Sequence, residues 1–107
     1  MNAVDERRNT LSIGEIKNFV YPMAMRYPVA RVILFGSYAR GDAQVSSDID
    51  LVVDSAGKLH NRKIFALSGD LLLAFPVRVD VYDLLELSEP LYESVMKEGV
   101  VIYDATG

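Results

Sequence analysis

Hydrophobic positions along the chain follow two periods, and the places where one gives way to the other divide it into short elements. Ile13, Ile16, Phe19 with Val20, and Met23 keep the three-to-four spacing of one helix face. Ser12 and Glu15, three positions apart, form a capping box at its start. Pro22 should kink or interrupt this helix, and Tyr27-Pro28 ends it. Arg31–Phe35 is an apolar, β-branched run stopped by Gly36, the pattern of a buried strand. Ser37 is expected to N-cap a short helical turn over 38–40, with a loop over 41–47. A second strand is predicted over 48–53, with Ile49, Leu51 and Val53 on its apolar face.

Residues 58–74 read as a helix whose apolar positions are Leu59, Ile64, Phe65, Leu67, Leu71 and Leu72. Gly69 weakens it and Pro76 stops the pattern. Over 77–82 the alternation is clean: Val77, Val79 and Val81 face one way, Arg78, Asp80 and Tyr82 the other. Ser88 caps a last helix through Glu98, with Leu91, Val95 and Met96 apolar and Gly99 at its end, and 100–103 reads as a final strand. Residues 1–11 are expected to be a loose arm. The order predicts an α/β (α+β) fold, a small mixed sheet with helices packed on one face, built as one domain over 1–107.

Composition narrows the chemistry more than the fold. The chain has no cysteine and a single histidine, His60, which removes disulfides, thiolate sites and imidazole-built zinc sites. No apolar run approaches the roughly 20 residues of a membrane span, and no signal-peptide core precedes the first helix, so a cytoplasmic location is the expectation. A net charge of −4 disfavours direct nucleic-acid binding and gives weak support for a basic protein partner. His60 lies among Lys58, Arg62 and Lys63, which reads as a solvated basic face. Met23, Met25 and Met96 are expected in the core, and the six tyrosines in packing or interfaces.

The chemistry concentrates at Gly36-Ser37 and Asp48-Ile49-Asp50. Carboxylates at i and i+2 of a strand share a face and repel one another unless a cation holds them. A hard divalent cation such as Mg²⁺ takes such ligands and completes its shell with phosphate oxygens and water. The Gly-Ser turn offers backbone N–H groups to a phosphate. Asp80, on the polar phase of the third strand, supplies a third carboxylate if the second and third strands pair. Three carboxylates on one sheet face suit one or two Mg²⁺ ions and an in-line displacement at phosphorus. Taken alone, an Asp-x-Asp at a strand start is more often solvated or turn-capping, and Gly-Ser after a strand is usually a turn.

Gly36-Ser37, ten intervening residues and Asp48-x-Asp50 resemble the signature of the polymerase-β-like nucleotidyltransferase superfamily. The runs Phe35-Gly36-Ser37-Tyr38-Ala39-Arg40-Gly41 and Ser47-Asp48-Ile49-Asp50-Leu51 look more specifically like the minimal nucleotidyltransferase (MNT) antitoxins of MNT–HEPN toxin–antitoxin modules. The resemblance covers about residues 12–103. It implies a nucleotidyltransferase fold, ATP as donor, and transfer of AMP to a hydroxyl, a tyrosine of a HEPN ribonuclease toxin held in a hetero-oligomer. It also implies that Gly36 and Ser37 grip the phosphates and that Asp48, Asp50 and Asp80 hold Mg²⁺ and do the catalysis. Arg40 either meets the triphosphate or fixes the following loop by a salt bridge. The alternatives are a non-catalytic antitoxin that occludes its toxin and a small-molecule transferase of the aminoglycoside type. The short chain argues against the latter, since it leaves no room for an acceptor-binding domain.

Overall fold

The computed structural model describes residues 10–58 and 61–106, with backbone alone at 61–63 and 65. The capping box forms as expected: Ser12 Oγ accepts from the Glu15 N–H at 3.1 Å, and Glu15 Oε1 accepts from the Ser12 N–H at 2.8 Å. It opens α1, Ile13–Ala24, which contains Pro22 without interruption. Pro22 falls in the last turn, so the single missing N–H spares the carbonyl of exposed Asn18, which water can serve. Then follow β1 (Arg31–Phe35), the one-turn helix α2 (Ser37–Arg40), β2 (Ile49–Asp54), α3 (Asn61–Ala74), β3 (Val79–Asp83), a 3₁₀ turn (Leu84–Glu86), α4 (Glu89–Glu98) and β4 (Val100–Asp104).

Several boundaries move from their predicted places. β3 starts at Val79 because the segment after Pro76 is a bend, although the Arg78 carbonyl already accepts from Ile49 N–H at 2.9 Å. The predicted helix over 58–74 is seen from Asn61, Lys58 belonging to a turn closed on the Ser55 carbonyl. Leu59, His60 and the arm up to residue 9 lie outside the described residues. Thr10 and Leu11 are not loose: both are buried, Leu11 in the main core. The 3₁₀ turn has no apolar period and could not be read from pattern alone; the Asp83 side chain caps it by accepting from Leu85 N–H.

The sheet order is β3-β2-β1-β4, with β1 antiparallel to both β2 and β4 and β2 parallel to β3. The parallel pair needs a crossover, and α3 provides it. Alternation then sorts the strands onto two faces. Val32, Leu34, Ile49, Leu51, Val53 and Val79 join Ile16 and Val20 of α1 and Leu67 and Leu71 of α3 in the main core. Each such fully buried side chain contributes about 1.5–3 kcal/mol by leaving water. The opposite face carries a smaller cluster, in which Ile33 and Val52 of the sheet meet Leu84 and Val95. Thus α1 and α3 lie on one face, while the 3₁₀ turn and α4 cover part of the other.

Gly99 allows that second layer to close. A Cβ there would stand 2.5 Å from Ile33 Cγ2 and 2.5 Å from the Val95 carbonyl, so the end of α4 passes over β1 only because this residue has no side chain. The rest of the second face stays open towards β3. Met25 and Met96, expected inside, are exposed, since α1 and α4 each bury only one side. Leu34 is wholly buried at the centre of β1. Leu34→Ala should cost about 2–5 kcal/mol in unfolding free energy, measured by urea denaturation, with the m-value unchanged.

Candidate active site

The end of β1, the start of β2 and the start of β3 meet at the open part of the second face. Phe35 ends β1 in register with Asp50, and Asp50 is in turn paired in register with Asp80 across the parallel β2–β3 ladder. In-register neighbours project to the same side, so the two carboxylates stand next to one another. Asp48 precedes the first residue of β2 and is more exposed.

Gly36 makes the turn that brings α2 against these carboxylates. Its φ of +78° is a conformation that side chains resist, and a Cβ would lie 2.7 Å from Asp50 Oδ2. Gly36, rather than Ser37, is the N-cap; Ser37 is the first helical residue, and no side chain caps the helix. A cap contributed by Ser37 would have required extended backbone at that position, which the positive φ at Gly36 replaces. The first-turn N–H groups of α2 therefore face no competing side-chain acceptor, an arrangement suited to phosphate oxygens. At the other end Gly41, φ +83°, takes the left-handed C-cap and donates to the Ser37 carbonyl.

The electrostatics follow from the crowding. Burial, then the charges of Asp80 and Asp48, push the Asp50 carboxyl above the ordinary range. Burial and the same three carboxylates raise the Tyr82 phenol, with Arg78 opposing. One cation relieves part of this strain: Arg78 Nε lies 3.7 Å from Asp48 Oδ2 and 3.6 Å from Asp80 Oδ1. Arg78 is largely exposed, so the two pairs are individually weak. Among the described residues, no three acidic side chains converge closely enough to enclose a metal ion as they stand. The donor set itself fits a hard divalent cation, being all carboxylate, with one member held above its usual pKa by burial and then by its like-charged neighbours.

The structure therefore brings Gly36, Ser37, Asp50 and Asp80 into one site, with Asp48 joined to Asp80 through Arg78. Arg40 instead pairs with Asp42, Nε to Oδ2 at 3.4 Å, in an exposed contact inside the following loop. Two neighbours were missed in the sequence, Arg78 and Tyr82. Both share the polar phase of β3 with Asp80, two residues to either side, and that alternation was the available signal.

Comparison with known proteins identifies the family. The family model described as polymerase beta, nucleotidyltransferase matches residues 18–106. The chain belongs to this nucleotidyltransferase family. It is 31% identical over 77 residues to the protein adenylyltransferase MntA of Thermococcus cleftensis, covering 72% of this chain and 78% of that one. Its fold resembles a chain of a toxin–antitoxin crystallised with AMP-PNP, with TM-score 0.72, 28% identity, and coverage of 83% and 73%. It also resembles a chain of the complex between the tri-AMPylated HEPN toxin of Shewanella oneidensis and its MNT antitoxin, with TM-score 0.68, 25% identity, and coverage of 88% and 74%. No described helix is long and apolar enough to cross a membrane.

A carboxyl held above its ordinary pKa favours the folded state most at low pH, and that contribution is lost as pH rises from the ordinary Asp value of 3.8 through the raised one. Asp50→Asn should therefore raise the thermal midpoint by a few degrees at pH 7 without divalent ions, with the gap closing below about pH 3.8 in differential scanning calorimetry. Gly36→Ala should lower the midpoint at both pH values, because its strain is steric.

Proposed function

We propose that this nucleotidyltransferase is an antitoxin that transfers AMP from ATP to a tyrosine hydroxyl of a HEPN toxin bound to it in the cytoplasm, and silences the toxin by that modification. The observation that carries the reading is the in-register pairing of Asp50 with Asp80 directly against the Gly36 turn, which sets carboxylates and phosphate-binding backbone within one site. The kinship with MntA and with chains of AMPylated and AMP-PNP-containing complexes supports it. The single domain over 1–107 is proposed to be the catalytic unit, with the acceptor supplied by the partner.

In this reading Gly36 and Ser37 bind the phosphates through backbone N–H groups at the start of α2, and Arg40, released from its exposed pair with Asp42, adds charge at the triphosphate. Asp48, Asp50 and Asp80 hold Mg²⁺, which when bound supplies charge neutralisation at the phosphates and lowers the barrier to displacement. Asp80 accepts the proton of the attacking hydroxyl, its exposed edge allowing the proton to pass to water. The acceptor oxygen forms its bond to the α-phosphorus as the bond to the bridging oxygen breaks, and pyrophosphate leaves with that electron pair. Arg78 pairs with Asp48 and Asp80 at the exposed edge of the site.

The test uses purified protein, ATP labelled on the α-phosphate, Mg²⁺ and a HEPN protein as acceptor. Label should appear on the toxin, and Asp48→Asn or Asp50→Asn should each reduce it by about 100-fold or more. Neutralisation of the toxin by both variants without labelling would reject the enzymatic reading in favour of occlusion. Removing divalent ions with a chelator should abolish labelling. Adding Mg²⁺ back should restore it and raise the thermal midpoint of the native chain while leaving that of Asp50→Asn unchanged.

A further inference from the structure

One step along the same sheet face from the carboxylates lies an apolar cleft. Val52 and Tyr82, themselves paired in register, follow Asp50 and Asp80 at i+2 and form its floor. Phe35 closes it on the β1 side, and Leu87 and Leu91 wall it from the segment leading into α4. The one charged group in its lining is Asp50. Leu91 and Tyr82 are 37% and 41% exposed, so the cleft opens to solvent beside the carboxylates.

Its volume, about 120 Å³, decides what it can hold. Small-molecule sites run from about 300 to 1,000 Å³, so a nucleotide does not fit and a single side chain does. The lining asks for an apolar body, and the carboxylate at one end asks for a hydroxyl tip. Tyrosine has both. Serine and threonine are too short to fill the apolar part while reaching Asp50. Phenylalanine or leucine would fill it and leave the carboxylate desolvated against carbon.

We propose that this cleft, between Val52, Tyr82, Phe35 and Leu91, receives the ring of the partner's acceptor tyrosine and presents its phenol oxygen to Asp50 and Asp80. The inference rests on the adenylyltransferase reading and deepens it, since it makes the cleft the element that selects tyrosine over other hydroxyls. The step is unchanged in its balance: the phenol oxygen bonds to the α-phosphorus, pyrophosphate departs, and the phenol proton passes to a carboxylate. The cleft adds ring burial, which the reaction itself does not need.

The test compares native protein with Leu91→Trp, which fills the cleft from the exposed side of α4, and with Tyr82→Leu, which alters the floor without adding bulk. Leu91→Trp should raise the KM for the HEPN acceptor by about tenfold or more, leaving ATP affinity in Mg²⁺ within twofold and the thermal midpoint unchanged. A second readout needs no catalysis. Titrating N-acetyltyrosinamide should shift the methyl resonances of Val52 and Leu87 in the native protein and not in Leu91→Trp, and N-acetylserinamide should shift them in neither. Unchanged KM and retained tyrosinamide shifts in Leu91→Trp would overturn the proposal, as would an ATP affinity that falls together with transfer. If Leu91→Trp fails to fold, Tyr82→Leu carries the test: equal KM and equal shifts to the native protein overturn it. Tyrosinamide binding in a native protein that labels no partner would uphold the cleft and reject the adenylyltransferase reading, so the two failures are distinguishable.

Discussion

The contact between the Asp50 carboxylate and the bare Cα of Gly36 is the constraint on which the site depends. A carboxylate near the end of a strand is normally solvated and free to turn. Here it is pressed against a backbone turn whose φ of +78° and ψ of −153° favour glycine, and a Cβ there would stand 2.7 Å from its oxygen. The turn is held by β1, whose last residue is Asp50's own register partner, so strand pairing and turn geometry fix the same spacing from two directions. The backbone of the Gly36 turn and the Asp50 carboxylate are thereby set at a fixed spacing by the fold itself.

Holding three carboxylates together stores electrostatic strain, and the molecule distributes it unevenly. Asp50 takes most, through burial and two like-charged neighbours, and its proton affinity rises accordingly. Asp48 and Asp80 share Arg78, an exposed side chain that can swing away at little cost. Stability is surrendered at this face and recovered at the other, where α1 and α3 bury an uninterrupted apolar layer.

Much of this was legible because the relevant signals are local. The capping box, the β-branched run before Gly36 and the alternation around Asp80 each depend on residues within a turn or a strand of one another. So does the common face of Asp80, Arg78 and Tyr82, although the last two were not singled out. The errors have equally physical origins. Ser37 reads as a cap until the positive φ of Gly36 shifts the helix start by one residue. Pro22 reads as a breaker until its place in an exposed last turn makes one lost bond harmless. Leu11 reads as part of a loose arm because nothing local indicates the core that receives it.

The sequence by itself determined the period of every main element, the identity of the carboxylates and the spacing that relates them to the Gly-Ser turn, since these are properties of neighbouring residues. Only the tertiary structure decided that β2 and β3 run parallel with Asp50 opposite Asp80, that Arg78 spans two of the acids, and that the Gly99 end of α4 packs over β1, with an apolar cleft beside the acids. Those facts come from segments far apart in the chain meeting across a sheet. Register, ion pairing and cavity shape are set by how such segments pack, and no local pattern encodes them.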